Sequence, residues 1–218
     1  MSASAQALSR SEKQARTRSS LLESAARVFA RRGLEGASID EVAADAGYTK
    51  GAFYANFAGG KEELLLAMLD ERFEARLAEI ERATAGDELP PDQARRAGAD
   101  FIRAVASDPE WGRVHFELHG YATRNPAFRE ALVARNRELR ERIAELLVAR
   151  ADAAGLEPTV APERVAMMAV AMANGMAFER LVEPEQVTED GLGEMMAIFF
   201  TGLLAYDAGA PPHSPAAP

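Results

Sequence analysis

Apolar residues recur at three- and four-residue spacing over most of this chain, and no segment alternates as a half-buried strand would. The first such face is Leu22, Ala25, Ala26 and Phe29, read as a helix from about Arg16 that Gly33 ends after Arg31 and Arg32. A second helix starts at Ser38, with Glu41 three residues on as a capping box, and carries Ile39, Val42, Ala43 and Ala46 inward. Gly47 stops it. Thr49 is the next N-cap and opens a short helix through Ala55. A fourth helix opens near Lys61 and runs through Leu65, Met68, Leu69, Phe73, Leu77 and Ile80. A loop at Gly86–Pro91 interrupts the pattern. Further helices carry Phe101, Ile102 and Val105, then Trp111, Val114, His115, Leu118 and His119 after a restart at Ser107-Asp108-Pro109. Beyond Asn125-Pro126 a long helix carries Leu132, Leu139, Ile143 and Leu146 to Gly155. The last two helices, about 162–182 and 188–206, are unusually apolar. The prediction is an all-α chain. Residues 1–14 read as a polar arm and the Pro-rich 207–218 as a disordered tail. In the first region Arg10, Lys13, Arg16 and Arg18 either reach DNA or are simply solvated.

Composition narrows the chemistry. The 218 residues contain no cysteine, so a disulfide framework, a thiolate metal cage and a cysteine nucleophile are excluded, and a reducing, cytoplasmic setting fits. The opening residues lack the apolar core of a secretory signal. The longest uncharged apolar run, Val165–Phe178, has 14 residues, which reads as a buried helix rather than a membrane span. The net charge of −9 is uneven: residues 1–61 carry +3 and the rest −12. A mildly basic head on an acidic body suits a protein that meets phosphate with one end.

Ser38–Phe57, SIDEVAADAGYTKGAFYANF, has the plan of a helix-turn-helix: an amphipathic helix, a glycine turn and a second short helix. The second helix presents Thr49, Lys50, Gly51, Ala52 and Asn56, a small polar surface that fits a major groove, while Phe53 and Phe57 anchor it. Tyr54 offers a hydroxyl to a phosphate. Lys61 adds charge where a helix N-terminus already favours an anion. Ser38 and Tyr48 complete the candidate DNA-binding set.

From Thr17 to Phe73, and most densely over IDEVAADAGYTKGAFYANFAGGKEEL from Ile39, the sequence resembles the TetR family of regulators. The resemblance implies that Thr49, Lys50 and Gly51 start the recognition helix and that Tyr54 and Lys61 contact phosphate. It departs from the family's habit at Ala55-Asn56, which replaces a bulkier pair, and at Gly59-Gly60, where a serine hydroxyl is missing. The implied organisation is a helix-turn-helix domain at 15–60 and a helical ligand-binding and dimerisation domain at 61–206. The implied activity is not enzymatic. It is that of a dimeric regulator of double-stranded DNA, a repressor released from a palindromic operator by an unknown small, largely apolar effector, with no cofactor, no metal and no membrane.

In the second domain, candidate effector-lining residues are Phe73, Phe101, Trp111, Phe116, His119, Met172, Asn174, Met176 and Phe178. Methionine adapts to varied shapes, though each of these residues also suits a core. Asn174, inside an apolar helix, needs a partner in a ligand, a water or another helix. Met168, Gly175, Met195, Phe199 and Gly202 are candidates for the dimer interface, with the glycines permitting close approach. The competing use of those helices is the monomer's own core. His115 and His119 share a helix face and open an alternative, a metal-dependent helical enzyme; a transcriptional activator is another. The string HFELH misplaces the glutamate of the H-E-x-x-H zinc motif. AGGKE at 58–62 lacks the glycine and hydroxyl spacing of a phosphate-binding loop, and no nucleophile elbow is present.

Overall fold

The computed structural model describes residues 9–86, 88–188 and 190–206. Among these it shows nine α-helices and no strand: α1 Arg10–Gly36, α2 Ile39–Asp45, α3 Lys50–Asn56, α4 Gly60–Ala83, α5 Pro90–Ser107, α6 Pro109–Arg124, α7 Pro126–Ala153, α8 Pro162–Val182 and α9 Gly191–Ala205. Several starts coincide with the predicted caps. Ser38 accepts from the Glu41 amide and Glu41 reaches back to the cap. Thr49 accepts from the Ala52 amide at 3.2 Å. Asp108 accepts from the Trp111 amide, with Pro109 opening α6.

The helix α1 corrects the expectation of an arm over 1–14. It begins at Arg10, because Ser9 and Glu12 form a capping box: the Ser9 amide donates to Glu12 at 2.7 Å and the Glu12 amide to Ser9 Oγ at 3.2 Å. Its first turns carry no apolar face, so periodicity alone passed over them. At the other end Gly33 breaks the helix at φ 71° and Leu34–Gly36 follow as a further turn. Residues 1–8 and the predicted tail at 207–218 lie outside the described residues.

The chain forms two compact units that do not follow its order. Among the described residues, the first joins those up to Glu74 with Asp108–Arg135, and the second joins those of Ala75–Ser107 with those from Asn136. The helices α4 and α7 each contribute to both. The first unit has a core rich in large side chains, with Phe29, Phe53, Phe57, Phe128, Leu64, Leu65, Leu69 and Leu118 fully buried. The second has a smaller cluster around Ile102, Leu192, Val187 and Met196.

Within the second unit α5 and α9 cross at the distance of backbone contact. A Cβ on Gly98 would stand 2.9 Å from the Leu192 carbonyl oxygen, and one on Gly193 would stand 2.6 Å from that of Arg95. Only glycine fits at either point. The glycines singled out from sequence, Gly175 and Gly202, meet nothing within 4 Å inside the protomer. The expected burial of Val165–Phe178 also needs correction. In the 21-residue α8 only Val165, Ala166, Ala173 and Ala177 are buried, while Met167, Met168, Phe178 and Val182 are exposed. By length and composition alone α8 could cross a membrane.

Candidate DNA-binding surface

The helices α2 and α3 are set by local chemistry.

 Ser38 caps α2, and Gly47, at φ 76°, turns the chain after it. The Gly47 amide donates to Ala44 O at 3.0 Å and the Tyr48 amide to Ala43 O at 2.8 Å, which closes the turn. The buried Ser24 hydroxyl of α1 lies 2.8 Å from Val42 O and 2.9 Å from Asp45 Oδ2. Asp45 also accepts from Arg27 at 2.7 Å and from Arg31 at 3.1 Å. The Arg27 bond, then the Ser24 and Arg31 bonds, hold its carboxyl down at about 2. These contacts fasten the C-terminal end of α2 to α1. Phe53 and Phe57 anchor α3 in the core, as the sequence predicted.

The candidate residues divide once their partners are known. Thr49, Lys50, Gly51 and Tyr54 are exposed on α3 or at its cap, with Tyr54 at 43% and edge-on to Phe53. Lys50 pairs with Asp40 at 3.0 Å, and that hydrogen bond raises the lysine's pKa. Ser38 is exposed but engaged as a cap, Ala52 is half-buried, and Tyr48 packs against the core. Asn56 turns back on its own helix: Nδ2 donates to Ala52 O at 2.8 Å, and its buried Oδ1 has no hydrogen-bond partner among the described residues. The Lys61 ammonium donates to the carbonyls of Leu34 and, at 2.9 Å, Ala37, in the α1–α2 connector. Its burial there lowers its pKa. In this arrangement Lys61 holds the connector instead of standing free for phosphate.

Three features were not foreseen. Arg18 Nη1 donates to Asn56 O at 3.0 Å and its guanidinium lies 4.3 Å from the Phe57 ring centroid, so it caps the C-terminal end of α3. Glu117 of α6 accepts the Leu34 amide at 2.6 Å, beside the Gly33 break. Tyr121 and Asn125 both donate to Glu62 Oε1, at 2.8 and 2.6 Å, and burial foremost raises the Tyr121 pKa. Each links residues 38 to 83 positions apart, a separation over which helical periodicity carries no signal.

The candidate effector residues are shared between the two units. Phe73 and Trp111 pack on the core of the first unit, and Arg72 lies over the Trp111 ring at 4.9 Å. Phe116 and His119 are half-buried in the same unit. Phe101, Met172 and Met176 pack on the second core, with Arg76 4.3 Å over the Phe101 ring. Asn174 and Phe178 part from Met172 and Met176. At about 100° per residue they fall on the other side of α8, where Phe178 is 48% exposed. Asn174 is half-exposed, so the buried amide expected there is not found in the protomer.

That outer side of α8 also holds Met167, Met168, Gly175 and Val182. On α9 the outward residues are Met195, Ile198 and Gly202, and Phe199 is half-buried at their edge. Ile198, at 73% exposure, was missed, although it lies three residues after Met195 and four before Gly202. His115 and His119 stack at 4.6 Å between centroids, and His119 Nδ1 donates to His115 O at 2.8 Å. Among the described residues no group of three or more His, Cys, Asp or Glu is placed to hold a metal.

Comparison with known proteins covers both halves of the chain. Residues 21–68 match the family described as bacterial regulatory proteins, tetR family, and residues 92–205 match the BetI-type transcriptional repressor, C-terminal family. The second match extends family likeness well past Phe73. The HTH-type transcriptional repressor AcnR of Corynebacterium glutamicum is 28% identical over 155 residues, which cover 70% of this chain and 75% of that protein. A transcriptional regulator from Rhodococcus sp. Rha1 superposes with a TM-score of 0.67 at 25% identity, over 86% of this chain and 96% of the other. The transcriptional regulator FadR from Bacillus subtilis, in a complex with stearoyl-CoA, superposes with a TM-score of 0.70 at 14% identity, over 83% and 96%. With the helix-turn-helix in place and both halves matched, the chain belongs to the TetR family of transcriptional regulators.

Proposed function

We propose that this regulator is a homodimeric, cytoplasmic repressor that binds a palindromic operator and releases it when a small, largely apolar effector binds. The exposed face of α3, with Thr49, Lys50, Gly51 and Tyr54 outward and Phe53 and Phe57 inward, carries the reading. A rigid helix with a small polar face enters a major groove, and a dimer presents two such helices to half-sites on one side of the duplex. In this reading residues 15–60 form the DNA-reading part and 61–206 the effector and dimer part. Lys61 and Asn56 act by holding the connector and α3 in place.

The repressor sign is supported by the likeness to AcnR, named as a repressor. The dimer is supported by the apolar outer faces of α8 and α9, larger than scattered surface residues produce. An effector with an apolar part is supported by Phe101, Met172 and Met176 and by the stearoyl-CoA complex of a structural neighbour. The same outer faces account for the apolar composition of α8 without a membrane.

Selection of bound sites from a random DNA pool by the purified protein tests the reading. Recovery of an inverted repeat is the expected result, and recovery of single, unpaired half-sites would overturn the dimeric operator. Addition of stearoyl-CoA as a probe to the bound complex then tests the effector class. Release by the long-chain compound and not by free coenzyme A is expected.

A further inference from the structure

The nine basic side chains of residues 1–61 are not equivalent. Arg27 and Arg31 pair with Asp45, Arg32 with Glu41 and Lys50 with Asp40. Lys61 is held by two carbonyls, and Arg18 by Asn56 and Phe57. The remaining three are Arg10, Lys13 and Arg16. All are exposed, and none has a side-chain hydrogen bond or ion pair among the described residues. They fall within the first two turns of α1, on about a third of its circumference at 3.6 residues per turn. The neighbouring acid, Glu12, is turned to the Ser9 amide as half of the capping box. The uncommitted positive charge of the head is thus gathered at one place.

That place is unfavourable for it. The N-terminal turn of a helix carries the positive end of the dipole, which repels cations, and the C-terminal turn attracts them. Here α1 carries Arg31 and Arg32 just before the Gly33 break, where cations suit the dipole, and a further three in its first two turns, where they do not. A local arrangement that opposes the helix's own electrostatics is expected where it serves something outside the helix. Position supplies the partner. Arg18 is seated on the C-terminal end of α3, and Arg16 to Arg10 precede it by about 3 to 12 Å along the axis of α1 at 1.5 Å per residue, turned from it by about 80 to 160° so that they face solvent.

We propose that Arg10, Lys13 and Arg16 form a second DNA contact, a phosphate-docking stripe that grips the backbone beside the groove read by α3. The stripe contributes affinity without sequence preference, because phosphates carry no sequence. Arg18, on another side of α1, belongs to a different class: it positions α3 and does not touch DNA. This inference rests on the DNA-binding reading above.

The test uses the full chain and two labelled duplexes, one carrying the selected site and one of scrambled sequence. Affinity is measured from about 50 to 200 mM salt for wild type, for the triple variant Arg10→Gln/Lys13→Gln/Arg16→Gln, and for Arg18→Gln. Each lost phosphate contact lowers the salt slope by about 0.9. With two copies of the stripe in the proposed dimer, the triple variant should therefore lose about 5.4 from its slope on both duplexes, so its affinity falls about 2000-fold less than wild type's across that salt range. It should also melt at or above the wild-type temperature, since cations leave the wrong end of a helix. Arg18→Gln should keep the wild-type slope and lose discrimination between the duplexes. A triple variant that folds and keeps the wild-type slope overturns the stripe. A slope that falls with Arg18→Gln overturns the division between docking and positioning. Wild-type protein that binds neither duplex overturns the DNA-binding reading and, separately from the variants, removes the basis of the stripe.

Discussion

The two units solve the problem of burying a helix in opposite ways. The first surrounds α2 and α3 with large, fully buried side chains and ties their ends with polar contacts: Asp45 to α1, Lys61 and Glu117 to the connector, Arg18 to α3. Its inward side is closed within one protomer. The second gathers a smaller core, brings α5 and α9 to backbone contact through Gly98 and Gly193, and leaves the outer faces of α8 and α9 apolar and exposed. The difference teaches where self-sufficiency ends. The reading head is finished by its own chain, and the other unit is finished by a second copy in the function proposed here.

The strongest way to break that comparison is to charge the outer face. Met195→Glu/Ile198→Glu should weaken the proposed dimer by about 4 kcal/mol, near 1000-fold, as removal of central anchors does. Light scattering should then show a monomer with an unchanged helical signal. A variant that stays dimeric at micromolar concentration would place the interface elsewhere. Next in size is Gly193→Ala. The added methyl meets the Arg95 carbonyl, so denaturant unfolding should show a loss of about 3 kcal/mol. The same substitution at Gly202, which faces open space in the protomer, should instead stabilise α9 by up to about 1 kcal/mol, because alanine is the better helix former.

In the head, Asp45→Asn should cost about 1 kcal/mol, because the bonds to Arg27 and Arg31 lie partly in solvent. The carboxyl's folded pKa is depressed, so its stabilising contribution is complete above its ordinary value of 3.8 and is lost as pH falls toward about 2. Wild type and Asp45→Asn should therefore converge in stability over that interval when melted at a series of pH values. The smallest effect sharpens the role of Lys61. Lys61→Met should cost about 1 kcal/mol through the freed Leu34 and Ala37 carbonyls and leave the salt slope of DNA binding unchanged. A slope lower by about 2, one for each subunit of the proposed dimer, would put the ammonium on phosphate instead.

What was legible in the sequence was local. The caps at Ser38, Thr49 and Asp108 and the turn at Gly47 are decided by residues within four positions of one another, and the helix boundaries follow from them. The start of α1 was also legible, in Ser9 and Glu12, but was hidden by reliance on apolar spacing. What was not legible depends on distant partners. Nothing near Gly98 announces Gly193, and nothing near Arg18 announces Asn56. The placement of Lys61 followed the family's habit, whereas the connector carbonyls that accept its hydrogen bonds are 24 and 27 residues away. On α8, hydrophobicity on every side concealed which face looks inward, since an all-apolar helix has no polar stripe to orient it.

The α5–α9 crossing has a consequence for how this regulator can diverge. One side of α9 is frozen, because Gly193 rests on a carbonyl with no room for a methyl group. The opposite side, where Ile198 stands, is unconstrained by its own protomer. In the proposed dimer, substitutions there would leave the fold untouched and alter only which copy is accepted across the interface. A duplicated gene could thus acquire a private pairing code by changing a few outward residues of one helix, and two sister regulators would stop exchanging subunits while each kept its architecture.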